Sequence, residues 1–173
     1  HHLYNAMDTA AQTAAALKTT PAEMAARAQS VMSELRQMQR ELDSAKSAMA
    51  GNKAQELLNS AAVVKGTKVI TAKLSGMDTD GLRKLGDNLK DKEPDLALVL
   101  ASEADGKVIF VAMATKDAVK KGVHCGNLVR EVAKAAGGGG GGKPDSAQAG
   151  GKDPAKVDSA LSLVSGLIET MLG

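Results

Sequence analysis

The stretch DLALVLASEADGKVIFVAMAT, residues 95–115, predicts the centre of the fold. Its first part, 95–103, is a nearly continuous apolar run, which is typical of a strand buried on both faces. Asp105-Gly106 follows, a dipeptide that favours a tight hairpin turn. The second part, 107–115, is again apolar and is expected to run back beside the first. We therefore predict a β-hairpin in the middle of a sheet.

The segments around this hairpin predict the rest of an α/β domain. KVITAKL at 68–74 alternates and is β-branched, so a strand is expected. Leucines on one helical face follow Asp78 or Thr79, either of which can cap that helix. A later helix over 126–136 would bury Leu128, Val132 and Ala135. The last helix, from Asp153-Pro154, aligns Val157, Leu161, Val164, Leu167, Ile168 and Met171. We predict that residues 53–173 form a globular α/β subdomain with a central sheet and flanking helices.

The first part of the chain predicts two helices. Residues 3–18 place apolar side chains on one side of a short helix. TTPAE then marks the start of a second helix, because Thr20 can cap it, Pro21 suits its first position and Glu23 can complete a capping box. With a turn at Pro21, the first helix can fold back along the second as an antiparallel hairpin.

The second helix carries an apolar stripe whose spacings alternate between four and three, as in a heptad repeat. The stripe consists of Val31, Leu35, Met38, Leu42, Ala45 and Met49. It can pack within the chain, or it can form the seam of a homodimer, and the residues leave both interpretations open. A cap is expected near Gly51-Asn52, so residues 3–52 would form a coiled-coil-like helical subdomain.

Composition limits the kind of protein. Aromatic residues make up 1% of the chain, so the core must be built from aliphatic side chains and methionine. The single Cys125 excludes an internal disulfide and fits a reducing cytoplasm. No apolar run has the roughly 18 residues of a spanning helix, and no signal peptide is recognised, so we expect a cytoplasmic protein without a membrane partner. His1 and His2 are interpreted as the remnant of an affinity tag.

The stretch GGGGGGKPDSAQAGG, residues 137–151, raises the question of a binding site. Glycine loses more conformational entropy on ordering than any other residue, so such a run needs a reason. It lies between two predicted helices of one subdomain, which argues against an interdomain linker. Consecutive glycines let a ligand approach the main chain and let backbone N–H groups turn toward an anion. A glycine-rich binding loop over 137–151 is therefore expected, and replacing Gly139 and Gly140 by Val should impair binding more than folding.

The positive charge of the chain is concentrated around this run. Residues 115–152 carry seven basic side chains against three acidic ones. The basic residues are Lys116, Lys120, Lys121, Arg130, Lys134, Lys143 and Lys152. Arg130 and Lys134 share one exposed face of the 126–136 helix with Asn127. This arrangement suits phosphate or sugar-phosphate, and the lack of aromatics favours folded or duplex nucleic acid over stacked single strands.

Catalytic and metal chemistry are not supported. Gly137 to Lys143 matches the first part of a phosphate-binding loop, but Pro144 stands where Ser or Thr must hold magnesium, and a helix rather than a strand precedes it. Apart from the tag remnant, His124 is the only histidine, and Cys125 beside it cannot complete a metal ligand set. We interpret the pair as a capping or surface His and a small buried Cys. No catalytic residue, metal or cofactor is predicted.

Three tracts carry a family resemblance. GVHCGNLVREVAKAAGGGGGGKPDSAQAGGKDPAKVDSAL resembles the C-terminal domain of alanyl-tRNA synthetases, whose fold is shared with the substrate-binding halves of Asp-His-His phosphoesterases. LLNSAAVVKGTKVITAKLSGMDTDGLRKLGDNLK resembles the opening strand and helix of that domain. LKTTPAEMAARAQSVMSELRQMQREL resembles the helical segment that joins it to the editing domain.

The resemblance implies a non-catalytic part of a ligase. In that family the ATP-dependent aminoacylation and the editing belong to upstream domains, which would be partners of this one. The C-terminal domain holds the elbow of alanine-accepting tRNA, and in some members its helices dimerise. The resemblance and the charge together suggest an RNA-binding set of Arg130, Lys134, Gly137, Gly138, Gly139, Gly140, Gly141, Gly142, Lys143, Gln148, Gly150, Gly151 and Lys152. The alternative is a phosphoester or nucleotide substrate-binding domain of an Asp-His-His-type phosphoesterase.

Overall fold

The computed structural model describes Gln12 and residues 20–173, and the chain divides into two compact units between Ala48 and Met49. Apart from Gln12, the predicted helix over 3–18, its antiparallel packing and the tag remnant lie outside the described residues. Helix α1 spans Pro21–Asn59, and Glu23 N–H donates to Thr20 O over 3.0 Å at its start. The predicted start of this helix is confirmed.

The predicted end of α1 near Gly51-Asn52 is wrong, because the helix continues to Asn59. Two buried residues explain the extension: Ala54 and Leu57 pack into the apolar cluster on one face of the sheet. That burial outweighs the roughly 1 kcal/mol that a glycine costs in a helix interior.

Six strands form one sheet in the order β1-β2-β3-β4-β6-β5. The strands are β1 Ala62–Val64, β2 Thr67–Ser75, β3 Leu96–Ala104, β4 Lys107–Ala114, β5 Gly139–Gly142 and β6 Ser146–Gly151. Only β2 and β3 run parallel; every other neighbouring pair is antiparallel. The central hairpin predicted from 95–115 is confirmed as β3 and β4, joined at Asp105 and Gly106 with φ of 54° and 71°.

Helices cover the two faces of the sheet. The helices are α2 Thr79–Lys92, α3 Lys116–Lys120, α4 Cys125–Ala135, a 3₁₀ turn Pro154–Lys156, α5 Val157–Ser162 and α6 Val164–Leu172. One apolar cluster joins α2 and the end of α1 to one face, and a second joins α3 to α6 to the other. The mixed α/β class predicted from the sequence is confirmed.

Local details differ from the sequence prediction. The predicted last helix is divided at Leu163, although Val157, Leu161, Val164 and Ile168 are all buried as expected. Strand β1 and helix α3 were not predicted. Among the described residues, no helix has the length and apolar character needed to cross a membrane.

Candidate nucleic-acid interface

The glycine-rich segment is a β-hairpin at the edge of the sheet, where a loop was expected. Four glycines of β5 pair antiparallel with β6, in the register Gly139 to Gly150 and Gly141 to Gln148. Strand β6 in turn pairs with β4, so the hairpin extends the central sheet. Because β5 is an edge strand, one side of its backbone is not paired within the sheet.

The tip of this hairpin is anchored to the start of α4. Cys125 N–H donates to Pro144 O over 2.9 Å, and Gly126 N–H donates to Lys143 O over 3.2 Å. His124 caps the same helix, because its Nδ1 accepts from Asn127 N–H at 3.1 Å. The first backbone donors of α4 are therefore used within the protein, and the helix start does not provide an anion site.

The base of the hairpin is anchored to the end of α4. Gly138 N–H donates to Ala133 O over 2.8 Å, and Lys152 N–H donates to Ala136 O over 3.0 Å. Gly137 follows the C-cap residue Ala136 with φ of 71°, a conformation that glycine adopts without strain. Helix α4 thus holds the hairpin at both ends.

Alternate glycines of the hairpin leave no room for a side chain. A Cβ at Gly138 would lie 1.7 Å from Gly150 O, and one at Gly140 would lie 2.4 Å from the Cα and Cβ of Ala149. At Gly142 the nearest atom, Ala147 Cα, would be 2.7 Å away. Gly151 is confined by Ala136, whose Cβ would be 3.0 Å away. These glycines are required by close packing of the backbone.

The other glycines have open space and lie together on one surface. A Cβ at Gly139 would meet nothing within 4 Å, and the nearest atom to one at Gly150 would be Val108 O at 3.8 Å. At Gly141 it would lie 3.4 Å from Nη2 of Arg130. The strand register places these three on the same side of the hairpin as Gln148. We call Gly139, Gly141, Gln148 and Gly150 the open patch.

The basic residues predicted for the site differ in whether they form an ion pair within the protein. Within residues 20–173, Arg130, Lys143 and Lys152 take part in no ion pair. Lys134 is bound locally to Glu131, with Nζ 2.7 Å from Oε1. Lys143 is at the tip and Lys152 at the base, and strands of this length separate them by roughly 20 Å. Lys143 and Lys152 therefore lie at opposite ends of the hairpin.

Cys125 and His124 have the structural roles expected from the sequence. Cys125 is fully buried, and burial raises the pKa of its thiol from 9.0 to about 12, with a further increase from Asp145 and an opposing effect of Lys90. Such a thiol stays protonated at neutral pH and is not a nucleophile.

Sequence reasoning missed Arg83. This residue lies on α2, and its Nη2 donates to Oε1 of Gln148 over 2.9 Å, across 65 positions of the chain. No local signal marks Arg83, because the contact depends on α2 packing over β3 and β4 beside β6.

Comparisons with known proteins place this fold in a family. The DHHA1 domain matches residues 66–170, more than half of the chain. The chain belongs to the DHHA1 domain family. This DHHA1 chain is 41% identical over 172 residues to alanine–tRNA ligase of Alkaliphilus metalliredigens, covering 99% of the chain and 20% of the relative. It is 46% identical over 156 residues to that of Alkaliphilus oremlandii, covering 90% and 18%.

Solved structures agree with that membership. The C-Ala domain from Aquifex aeolicus alanyl-tRNA synthetase is 30% identical, with a TM-score of 0.59 over 63% of this chain and 97% of that one. A DHH domain described as a member of the s1p family of ribosomal proteins is 14% identical, with a TM-score of 0.50 over 71% and 31%. The second likeness shows the fold alone. The resemblance drawn from the sequence is confirmed, and the DHHA1 chain spans about one fifth of the length of the curated relatives it matches.

Proposed function

We propose that this DHHA1 chain is the C-terminal part of an alanine–tRNA ligase and binds the elbow of tRNA through the open patch and the basic residues beside it. Its role is to hold one tRNA while upstream domains of the same enzyme act on the acceptor end. The similarity to alanine–tRNA ligases and to the C-Ala domain supports the family part of this proposal.

One observation carries the RNA-binding part. The open patch contains three glycines that the protein's own packing does not require, and Gly141 lies against the guanidinium of Arg130. A bare backbone surface lets a nucleic acid approach closely. Arg130 and Lys143 have no ion-pair partner within residues 20–173, so both are available to phosphate.

The chemistry of the patch favours folded RNA. A stacking platform for single strands needs aromatic side chains, and the chain has one Tyr, one Phe and no Trp. Phosphate contacts fix position and orientation without reading sequence. A surface of glycines, cations and one amide therefore suits the shape and backbone of a structured RNA, such as the elbow where the D-loop and T-loop meet.

The test compares an intact tRNA with one whose D-loop/T-loop pairing is disrupted, at two salt concentrations. We expect distinctly tighter binding of the intact tRNA. Equal affinities with the same steep salt dependence would contradict elbow recognition and leave only a generic polyanion surface. Tight binding of a mononucleotide by calorimetry would instead favour the substrate-binding domain of a phosphoesterase.

A matched pair of variants locates the interface. Lys143→Asn removes a charge at the hairpin tip, and Lys65→Asn removes one at the opposite edge of the sheet, where the β1–β2 turn has φ of 48°. Asn tolerates that conformation. Only Lys143→Asn should reduce the log–log salt slope, by about 0.7–0.9 per lost phosphate contact. Equal effects of both variants would place the interface elsewhere.

We also propose that the apolar stripe of α1 is the seam of a homodimer. Val31, Leu35, Met38 and Leu42 are each about half exposed, which is unusual for large apolar side chains at heptad spacing. Sedimentation velocity over a concentration series should show a monomer–dimer equilibrium that Leu35→Glu shifts to monomer. A monomer at every concentration would exclude the dimer.

A further inference from the structure

Arg83 and Gln148 form a pair that the proposed RNA site does not yet explain. Both side chains are exposed, and the Nη2–Oε1 distance is 2.9 Å. An exposed pair of this kind stabilises a fold little. Arg83 makes no ion pair within residues 20–173, so the amide of Gln148 is its only side-chain partner there.

The pairing with Arg83 fixes the orientation of the side-chain amide of Gln148. A guanidinium has only donors, so the amide must turn its oxygen toward Arg83 and its nitrogen away. Both hydrogens on Nε2 then have no acceptor among the described residues. Without Arg83, the amide can rotate by about 180° and present oxygen or nitrogen to a ligand with little preference.

The position of the amide makes this orientation useful. Gln148 lies opposite Gly141 in the strand register, and the guanidinium of Arg130 reaches Gly141. Two guanidiniums, one from α2 and one from α4, therefore flank the centre of the open patch. The guanidinium of Arg130 and the Nε2 of Gln148 are both hydrogen-bond donors at this point.

We infer that Arg83 is a positioning residue, which holds Gln148 as a directed donor to an acceptor oxygen or nitrogen of the bound RNA. This inference rests on the proposed function, since it names what the same site recognises. The ligand group is an acceptor on a base edge or the sugar-phosphate backbone, and Arg83 acts on it through Gln148.

A double-mutant cycle tests the inference. Arg83→Met, Gln148→Met and the double variant are titrated with intact tRNA, with Arg130→Met as a matched loss of an arginine that contacts RNA. One hydrogen bond corresponds to an affinity loss of about three- to tenfold. We expect that loss in each single variant and less than about twofold further loss when Arg83→Met is added to Gln148→Met.

Salt dependence separates positioning from direct contact. Arg83→Met should leave the salt slope nearly unchanged, whereas Arg130→Met should lower it by about 0.7–0.9. Arg83→Met could instead reduce tRNA affinity equally in the wild type and in Gln148→Met, and lower the salt slope as Arg130→Met does. That result would show that Arg83 binds phosphate itself and would overturn the inference. In the free protein, Arg83→Met should also shift the NMR signals of the Gln148 side-chain amide.

The two proposals fail in different ways. Suppose that the wild type binds tRNA and that Lys143→Asn weakens this binding as expected. If Arg83→Met and Gln148→Met then bind tRNA as tightly as the wild type, the positioning role is rejected and the RNA-binding proposal stands. No binding of tRNA by the wild type would reject both. Thermal unfolding of each variant verifies that the fold is retained, as the exposure of both side chains predicts.

Discussion

Neighbouring glycines of β5 should respond to the same substitution in opposite ways. Gly139→Ala adds a methyl group where nothing lies within 4 Å, and Gly140→Ala places one 2.4 Å from the backbone of Ala149 and 2.5 Å from Gln148 O. Carbon atoms pack at about 3.5–4.0 Å, so the second variant requires β5 to move away from β6 by about 1 Å.

The magnitudes follow from that displacement. Separating the strands at position 140 loses one or two backbone hydrogen bonds, worth about 1 kcal/mol each, and the remaining overpacking costs about 1–3 kcal/mol. We expect Gly140→Ala to lower the free energy of unfolding by about 2–5 kcal/mol, and the melting temperature by roughly 4–20 °C. Gly139→Ala should leave stability unchanged or raise it by up to about 1 kcal/mol, because it restricts the unfolded chain.

Urea unfolding followed by circular dichroism measures both variants, and tRNA titration of Gly139→Val tests the surface. That variant should remain folded and bind tRNA more weakly, because its side chain occupies the open patch. The sequence alone suggested one outcome for Gly139 and Gly140, and the structure now separates them. Wild-type stability in Gly140→Ala would refute the close approach of the strands.

Three further predictions concern charge, the buried thiol and a helix cap. Glu131→Gln should tighten tRNA binding and steepen its salt dependence, because it frees Lys134 from a 2.7 Å ion pair; an unchanged slope in filter binding would show that Lys134 does not face the RNA. Cys125 should resist a thiol reagent at pH 8 until the protein is unfolded. Because its pKa rises from 9.0 to about 12 on folding, its contribution to stability is complete below pH 9 and is lost between pH 9 and about 12, a dependence that Cys125→Ala should remove in denaturation curves. Asp78→Ala should cost about 1 kcal/mol, since Oδ1 of Asp78 accepts from Gly81 N–H at 2.7 Å, and Asp78→Asn should restore most of it.

Local signals were sufficient for the centre of the fold. The apolar run and the Asp105-Gly106 turn predict β3 and β4, because strand burial and turn type both depend on residues that are adjacent in the sequence. The end of α1 could not be found in the same way. A cap signal at Gly51-Asn52 is local, whereas the burial of Ala54 and Leu57 that extends the helix depends on a sheet formed by later residues.

The geometry of the candidate site could be predicted only in part. Six glycines have no alternation of side chains and low strand propensity, so the sequence indicates neither a strand nor its register. The division of the glycines into confined and open positions needs coordinates of β6. Arg83 lies 65 positions from Gln148, and only the packing of α2 beside β6 brings them together. Charge made Arg130 and Lys143 candidates for the site, because net charge around 137–151 can be counted without a fold.

Because the hairpin is anchored at both ends of α4, the number of glycines in the run is constrained by the fold. Deleting any one of the six glycines gives the same protein with a run of five. The lost residue would shorten β5 by about 3.4 Å, and the tip and base could no longer both reach helix α4. Tolerated variation in this segment should therefore appear as substitutions that leave its length unchanged.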